Sequence, residues 1–158
     1  MRKIICLSIA VCSALLLQAQ QPSVDPPAGA ALLLRAEGNG SQVYTCTDAH
    51  WTLKGPDARL LDQQGQVIGT HFAGPTWRLN DGSEIKGKMI ASKPSPDAGS
   101  VPWLLLQAVP ASGSGKFANV AYIARTQTHG GAARDQACTS GEERVSYTAE
   151  YSFYTGKP

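Results

Sequence analysis

Long helical segments are missing from this sequence of 158 residues. The chain has 16 glycines and 10 prolines, and from Ala31 onward no run of a dozen residues free of them keeps a 3.6-residue apolar period. A membrane-spanning run is also missing beyond the N-terminal segment, since the apolar stretch from Trp103 to Val109 has about a third of the required ~20 residues. We therefore expect neither a helical bundle nor a membrane-spanning helix in the remainder of the chain.

An excess of charge of one sign is missing as well. The whole chain has 14 Lys and Arg against 12 Asp and Glu, and removal of Arg2 and Lys3 with the N-terminal segment leaves 12 against 12. Without a basic excess there is no general electrostatic attraction to nucleic acid or to an anionic membrane. We predict no nucleic-acid partner and, once the N-terminal segment is removed, no stable membrane insertion.

The N-terminal segment has the features of a secretory signal peptide. Two basic residues are followed by the apolar run Ile4–Leu17, and the sequence then becomes polar. We predict a signal peptide over residues 1–19 with cleavage after Ala19, and hence a secreted or periplasmic protein. A lipoprotein signal at Cys12 is a weaker hypothesis, because the residue before this cysteine is not small.

Cysteine is scarce in the segment that remains. Cys6 and Cys12 lie in the signal peptide, which leaves Cys46 and Cys138. An even pair in an oxidising compartment predicts one disulfide bond. The bond would close a loop of about 93 residues, and the chain-entropy model assigns it a stabilisation on the order of 4 kcal/mol.

Short apolar runs that often alternate with polar residues take the place of helices, and such alternation is typical of strands. Asn80–Ser83 gives the strongest hairpin signal, because its Asp-Gly pair favours positive φ, and Gln63–Gly65 marks another hairpin. Asn39-Gly40 is interpreted as a further tight turn, and Gly55-Pro56 as the end of a strand. The predicted strands are 31–36, 42–47, 51–54, 58–62, 66–72, 76–79, 84–92, 103–109, 119–127 and 144–155. The continuous apolar run 103–109 predicts a strand that is buried on both faces, and residues 111–115 are predicted to form a flexible turn. The alternation in 144–155 predicts one face with Val145, Tyr147, Ala149, Tyr151 and Phe153.

This pattern predicts an all-β fold, namely a single-domain antiparallel β-sandwich or partly closed β-barrel of about ten short strands. Residues 20–30 carry three prolines and form a predicted Pro-rich linker, while residues 31–158 form the β domain. About 139 residues remain after cleavage, which suits one domain with a substantial core.

The stretch Gly69–Lys88 is the densest in residue types with demanding positions. Its segments His71–Trp77 (HFAGPTW) and Asp81–Ser83 (DGS) resemble the signature of the family called domain of unknown function 3455. The resemblance covers nearly the whole mature chain. It implies a secreted single domain and supplies no established activity or catalytic residue. Further matching residues are Trp51, Lys54, Pro56, Leu60–Asp62, Pro102–Leu105, Gly113–Gly115, Phe117, Tyr122, Ile123, Arg125, Cys138, Tyr147–Ala149, Tyr151, Phe153 and Tyr154.

A metal site finds little support in the histidines. His50, His71 and His129 are far apart and lack the short spacing of common zinc motifs. A β fold can gather distant ligands, but His71 beside Phe72 is more simply explained as hydrogen-bonded inside the fold. We predict no metal site and no cofactor.

Nucleophilic catalysis lacks a matching motif. Gly113–Gly115 does not have the GxSxG spacing. His71, Asp81 and Ser83 could meet across the hairpin as a triad, but the turn itself requires the last two residues. Whether the protein is an enzyme is left open, and the non-enzymatic hypothesis is favoured.

Aromatic residues support a binding hypothesis. The chain has three Trp and five Tyr, and exposed aromatic faces in a neutral β domain stack on sugars or hold apolar ligands. Trp51, Trp103 and Phe72 are assigned to the core, whereas Trp77 follows Gly74-Pro75 and can lie at the surface. The predicted ligand-binding residues are His71, Trp77, Arg78 and Asp81.

Three functional hypotheses follow. The favoured one is a β-domain that binds a small molecule, glycan or protein partner without catalysis. The second is a metal- or His-dependent enzyme centred on His71, and the third is a purely structural envelope protein. The position of His71 discriminates between them, because a buried His71 with no pocket at it or at Trp77 would remove the site from both functional hypotheses.

Overall fold

The computed structural model describes residues 22–110 and 114–156 and has eight strands and one short 3-10 helix. The strands are β1 (Ala31–Thr47), β2 (His50–Leu61), β3 (Val67–Phe72), β4 (Thr76–Leu79), β5 (Glu84–Lys93), β6 (Trp103–Pro110), β7 (Val120–Gly130) and β8 (Glu142–Thr155), and the 3-10 helix is Lys116–Asn119.

The strands form a closed antiparallel barrel. Each strand pairs with its neighbour in the sequence, and β8 returns to pair with β1. The all-β prediction is confirmed, and the architecture is the barrel rather than the sandwich. The predicted signal peptide at residues 1–19 and the first part of the predicted turn at 111–115 lie outside the described residues. Within the described part, no helix is long and apolar enough to cross a membrane.

Two predicted strand breaks are absent, which reduces ten short strands to eight. Asn39-Gly40 is not a turn but lies inside β1, paired with β2 on one side and with β8 on the other. The glycines are needed for space: a Cβ on Gly40 would lie 2.3 Å from the Asp57 carbonyl oxygen. A Cβ on Gly38 would lie 2.4 Å from Cε2 of Tyr151. Close packing inside the barrel, rather than chain reversal, explains these residues.

Gly55-Pro56 also lies within a continuous strand instead of ending one. The pairing of β1 with β2 shifts register between Val43 and Tyr44, opposite Gly55, whose φ is 147°. An extra residue at such a point is a β-bulge, which bends a strand without ending it.

The predicted hairpins and disulfide are confirmed. The turn Asn80–Ser83 joins β4 to β5 with Gly82 at a φ of 83°, and Gln63–Gly65 lies between β2 and β3. Cys46 at the end of β1 is bonded to Cys138 in the loop before β8. The bond fixes the loop over residues 131–141 to the β1–β2 hairpin.

The barrel interior is filled by inward-facing side chains of alternating residues. On β8 the predicted inward alternation is confirmed for Tyr147, Ala149, Tyr151 and Phe153, which are all buried in the main core. Fully burying one such large apolar side chain contributes about 1.5–3 kcal/mol. Other members of this core are Leu60, Trp77, Ile85, Leu106, Phe117 and Ile123.

A second apolar cluster covers the outer face of β6 and β7. Val24, from the described part of the predicted linker, is 3% exposed and shares this cluster with Leu105 and Tyr122. The middle of β6 is therefore buried on both faces, as its continuous apolar run predicted.

The tryptophans and Phe72 are distributed differently from the prediction. Trp77 is 1% exposed, because its place on β4 directs it inward, whereas the next residue, Arg78, is exposed. Trp51, Trp103 and Phe72, which were assigned to the core, are only half-buried. The Lys93 ammonium lies 4.7 Å from the Trp103 ring centroid, on the outside of the barrel.

Candidate functional site

A pocket of about 230 Å³ opens at one end of the barrel. The turn at Gly74-Pro75 lines it, whereas the other end is closed by Phe117, which packs against Phe153 with ring centroids 4.6 Å apart. We call the end of the barrel that has this pocket the open end, and the end that has Phe117 the closed end. The residues that line the pocket are Gln42, Leu53, Lys54, Gly55, Pro56, His71, Gly74, Pro75, Trp77, Leu104, Leu106, Arg125 and Tyr151.

Strand register brings the aromatic wall of the pocket together. His71 on β3 and Trp77 on β4 are paired residues and therefore face the same side of the sheet. Gly87 on β5 provides room for the indole, because a Cβ there would lie 3.0 Å from Cζ3 of Trp77 and 2.8 Å from Cδ2 of Leu106. A larger residue at position 87 would push the indole out of place.

His71 is held as a neutral imidazole. Its ring stacks on the Trp77 indole with centroids 4.3 Å apart, and its Nδ1–H donates to the Thr76 carbonyl oxygen at 2.8 Å. Because a carbonyl only accepts hydrogen bonds, the proton must be on Nδ1, which leaves Nε2 as an acceptor. Burial lowers the pKa of His71 to about 3. The ring is therefore uncharged at physiological pH.

Tyr151 completes this aromatic cluster. Its ring meets those of His71 and Trp77 edge-on, at centroid distances of 5.0 and 5.5 Å. Its hydroxyl lies 3.3 Å from the Tyr147 hydroxyl. Burial raises the pKa of Tyr151, so the hydroxyl keeps its proton.

Two residues that line the pocket each have a buried side-chain nitrogen without a hydrogen-bond partner among the described residues. These nitrogens are Nε1 of Trp77 and Nε2 of Gln42, and both residues are 1% exposed. Leaving such a donor unsatisfied costs about 1–3 kcal/mol, and most buried polar groups in native proteins have a partner. Nε1 of Trp103 and Oε2 of Glu143 are also unpaired, but neither residue lines this pocket. Trp77 and Gln42 thus each keep an unused donor in the part of the chain that the structure describes.

Arg125 places a positive charge at the same pocket. Its Nε and Nη2 donate to the Pro102 carbonyl oxygen at 3.1 and 2.8 Å. Within the described part of the chain Arg125 forms no ion pair, and the lining residues include no Asp or Glu. Lys54 at the rim, in contrast, is paired with Glu142. The guanidinium charge is thus not compensated by a carboxylate of the protein.

A family model described as "Protein of unknown function (DUF3455)" matches residues 27–155.

The chain belongs to the DUF3455 family. The resemblance carried by His71–Trp77 and Asp81–Ser83 is thereby confirmed, and the matched range contains all eight strands and every residue of the pocket. No curated protein and no solved structure matches the chain.

Arg78, a predicted site residue, lies on the outer face of the DUF3455 barrel. It follows the inward Trp77 on β4 and is exposed. Its Nη2 lies 2.5 Å from the Glu84 carboxylate, and its guanidinium carbon lies 5.1 Å from the Phe72 ring centroid. Arg78 makes these contacts outside the pocket and is not one of the residues that line it.

Asp81, the remaining predicted site residue, lies in the turn at the closed end of the barrel. Its carboxylate accepts hydrogen bonds from the Ser83 hydroxyl at 2.6 Å and from the backbone N–H groups of Ser83 and Lys116, each at 2.9 Å. These bonds, chiefly that of the Ser83 hydroxyl, lower the pKa of Asp81 to about 2. The structure thus brings His71 and Trp77 together, and places Asp81 and Ser83 at the opposite end of β4 from His71.

Catalytic groups are few around His71. The lining residues of the pocket include no carboxylate, serine or cysteine. Among residues 22–110 and 114–156, no group of three or more His, Cys, Asp or Glu is positioned to hold a metal ion. His50 and His129 are exposed, and His129 pairs with Asp97 at 3.1 Å.

Three pocket residues of the DUF3455 domain were not among the predicted site residues. Arg125 and Tyr151 belong to the residues that carry the family resemblance, which was the signal that could have singled them out. In the sequence, Gln42 is only a polar residue at the start of a predicted strand, which does not single it out as a site residue. Its importance depends on strand register, which brings it beside residues distant in the sequence.

Proposed function

We propose that the DUF3455 domain binds a small, mainly apolar molecule with a hydrogen-bond acceptor in the pocket at the open end of its barrel. The observation that carries this proposal concerns Gln42 and Trp77, two residues that line the pocket and whose buried side-chain nitrogens have no hydrogen-bond partner among the described residues. The volume of about 230 Å³ lies just below the ~300–1,000 Å³ typical of pockets for drug-sized ligands. The ligand is accordingly smaller than most drugs.

The shape of the site favours a small molecule over the other partners considered. Trp77 is buried and one face of its indole is covered by His71, so it does not offer the exposed aromatic platform on which sugars stack. A stable protein interface needs about 800 Å² on each partner, which a pocket of this size does not supply.

The state of His71 favours binding over general-base catalysis. A catalytic base works best when its pKa lies near the working pH, whereas burial lowers the pKa of His71 to about 3. A neutral His71 that contributes packing and an acceptor atom fits a binding site.

We propose that this domain acts outside the cytoplasm, in the periplasm or the medium. Support comes from the signal-peptide features of residues 1–19 and from the Cys46–Cys138 bond, since disulfides persist in oxidising compartments. N-terminal sequencing of the protein recovered from its native host tests this proposal. We expect the mature chain to begin at Gln20, and an intact N-terminus on cytoplasmic protein would contradict it.

The binding proposal is tested by a fragment screen with ligand-observed NMR on the mature, oxidised protein. Trp77→Phe keeps an aromatic ring but removes the indole N–H, and Gln42→Met removes the amide with little change in length. Trp51→Phe and Gln64→Met are the matched controls outside the pocket. We expect fragments that bind the wild type and both controls but bind the two pocket variants more weakly. Equal binding by all five proteins, or the absence of any binding fragment, would contradict the proposal.

A further inference from the structure

We infer that the ligand of this pocket is an organic anion whose carboxylate is bound by Arg125 together with the N–H groups of Gln42 and Trp77. The inference rests on the proposed function and specifies the chemical class of the ligand. It depends on two observations about the pocket, its uncompensated charge and its number of free donors.

The positive charge of Arg125 favours an anionic ligand. The guanidinium is half-buried, and no carboxylate lines the pocket. A charge withdrawn from water is unfavourable unless it is paired, and a carboxylate is the group whose geometry matches the guanidinium fork. The acceptor that the described residues supply to the guanidinium is neutral, namely the Pro102 carbonyl oxygen. An anionic ligand would complete the pairing.

The unused donors of the residues that line the pocket match the acceptor capacity of a carboxylate. A guanidinium has five N–H groups, and those of Nε and Nη2 donate to the Pro102 carbonyl oxygen. Nε1 of Trp77 and Nε2 of Gln42 add further donors that have no protein partner. A carboxylate offers about four lone-pair sites, whereas a single neutral carbonyl offers two. A carboxylate can therefore accept hydrogen bonds from more of the pocket donors than a neutral carbonyl can.

The other residues that line the pocket determine the size and polarity of the part of the ligand outside its carboxylate. It is mainly apolar, with side chains from Leu53, Pro56, Pro75, Leu104 and Leu106. In a volume of about 230 Å³ this surface accommodates a short alkyl chain or a single ring. We therefore assign the pocket to small apolar monocarboxylic acids.

Isothermal titration calorimetry with matched probes tests the assignment. The probes are benzoate, phenylacetate, butyrate and hexanoate, each compared with its primary amide at low ionic strength. We expect at least one carboxylate to bind about tenfold or more tightly than its amide, because charge-assisted hydrogen bonds are roughly twice as strong as neutral ones. Arg125→Gln should remove that advantage, weakening the carboxylate about tenfold and the amide less than about threefold. Arg78→Gln, on the outer face, should bind both as the wild type does.

The outcomes separate this inference from the proposed function. If the amides bind as tightly as the acids and Arg125→Gln weakens neither, the anion inference is overturned. The proposed binding of a small, mainly apolar molecule is then still supported. If no probe binds and the fragment screen also finds no ligand, both the proposed function and the anion inference are contradicted. Near-UV circular dichroism checks the fold of each variant. Should Arg125→Gln not fold, the comparison of acid with amide on the wild-type protein decides the inference by itself.

Discussion

The imidazole of His71 lies parallel to the indole of Trp77, with ring centroids 4.3 Å apart and an angle of 7° between the planes. This stack serves both the fold and the candidate site. His71 packs as an uncharged ring inside the barrel, and Trp77 keeps an indole N–H without a protein partner. The consequences for stability and for binding can be measured separately.

His71 should make the folded state sensitive to acid. Its pKa is about 3 in the folded protein against an ordinary histidine value of 6.5, so below pH ~6.5 the unfolded state binds more protons than the folded state. The contribution of His71 is fully present above pH ~6.5 and is lost as the pH falls toward about 3. The loss can reach about 1.4 kcal/mol per pH unit, or on the order of 4 kcal/mol in total. Urea unfolding between pH 7.5 and 4 measures it.

Asparagine at position 71 isolates this effect. His71→Asn cannot titrate and retains an amide that can donate to the Thr76 carbonyl, so its unfolding free energy should depend less steeply on pH. The exposed His50→Asn is the matched control and should keep the wild-type slope. Identical slopes for wild type and His71→Asn would show that His71 does not have the lowered pKa.

Gln42→Met should stabilise the protein when no ligand is present. The amide nitrogen of Gln42 is buried without a partner, and an apolar side chain of similar length removes that desolvation cost. We expect the unfolding free energy to rise by about 1 kcal/mol, whereas Gln64→Met in an exposed loop should change it by less than about 0.5 kcal/mol. A loss of stability in Gln42→Met would indicate that the amide is satisfied within the fold.

Asp81→Ala should loosen the closed end of the barrel and leave the open end unchanged. The Asp81 carboxylate joins the β4–β5 turn to the backbone of Lys116, at the start of the 3-10 helix that carries Phe117. We expect a lower melting temperature and faster hydrogen exchange of the Lys116 and Phe117 amides. Asp135→Ala, at an exposed loop position, should resemble the wild type. Weaker binding of fragments to Asp81→Ala would instead support Asp81 as a ligand-binding residue.

Reduction of Cys46–Cys138 should destabilise the domain. The cysteines are separated by 92 residues, and the chain-entropy model assigns a stabilisation on the order of 4 kcal/mol to a loop of this length. Urea unfolding with and without dithiothreitol measures the difference. The double variant Cys46→Ser and Cys138→Ser should match the reduced wild type and should not respond to dithiothreitol. An unchanged unfolding midpoint in the reductant would contradict the expected contribution.

Local sequence patterns predicted those parts of the fold that depend on local chemistry. The alternation along β8 identified its inward residues, and the Asp-Gly pair identified the turn at Asn80–Ser83, because each property is set by neighbours in the chain. Asn39-Gly40 has the same local chemistry as a turn. Its place inside β1 follows from close contact with atoms of β2, which no local pattern reveals.

The candidate site was predictable only in part, for the same reason. His71 and Trp77 are six residues apart on one hairpin, and their joint position followed from a single stretch of sequence. Gln42 and Arg125 reach the pocket from β1 and β7. Their meeting depends on closure of the barrel between β8 and β1, which brings distant residues to one end.

Binding at the pocket wall is tested most directly by the indole N–H signals in a ¹H–¹⁵N correlation spectrum. The chain has three tryptophans, of which Trp77 lines the pocket while Trp51 and Trp103 do not, so the two others are internal controls. Single Trp→Phe variants assign the signals, and benzoate and hexanoate are the titrants. We predict that the Trp77 signal moves downfield in a saturable way as its N–H gains an acceptor, while the other two stay in place. A Trp77 signal that does not move, although either acid binds the protein, would contradict the account.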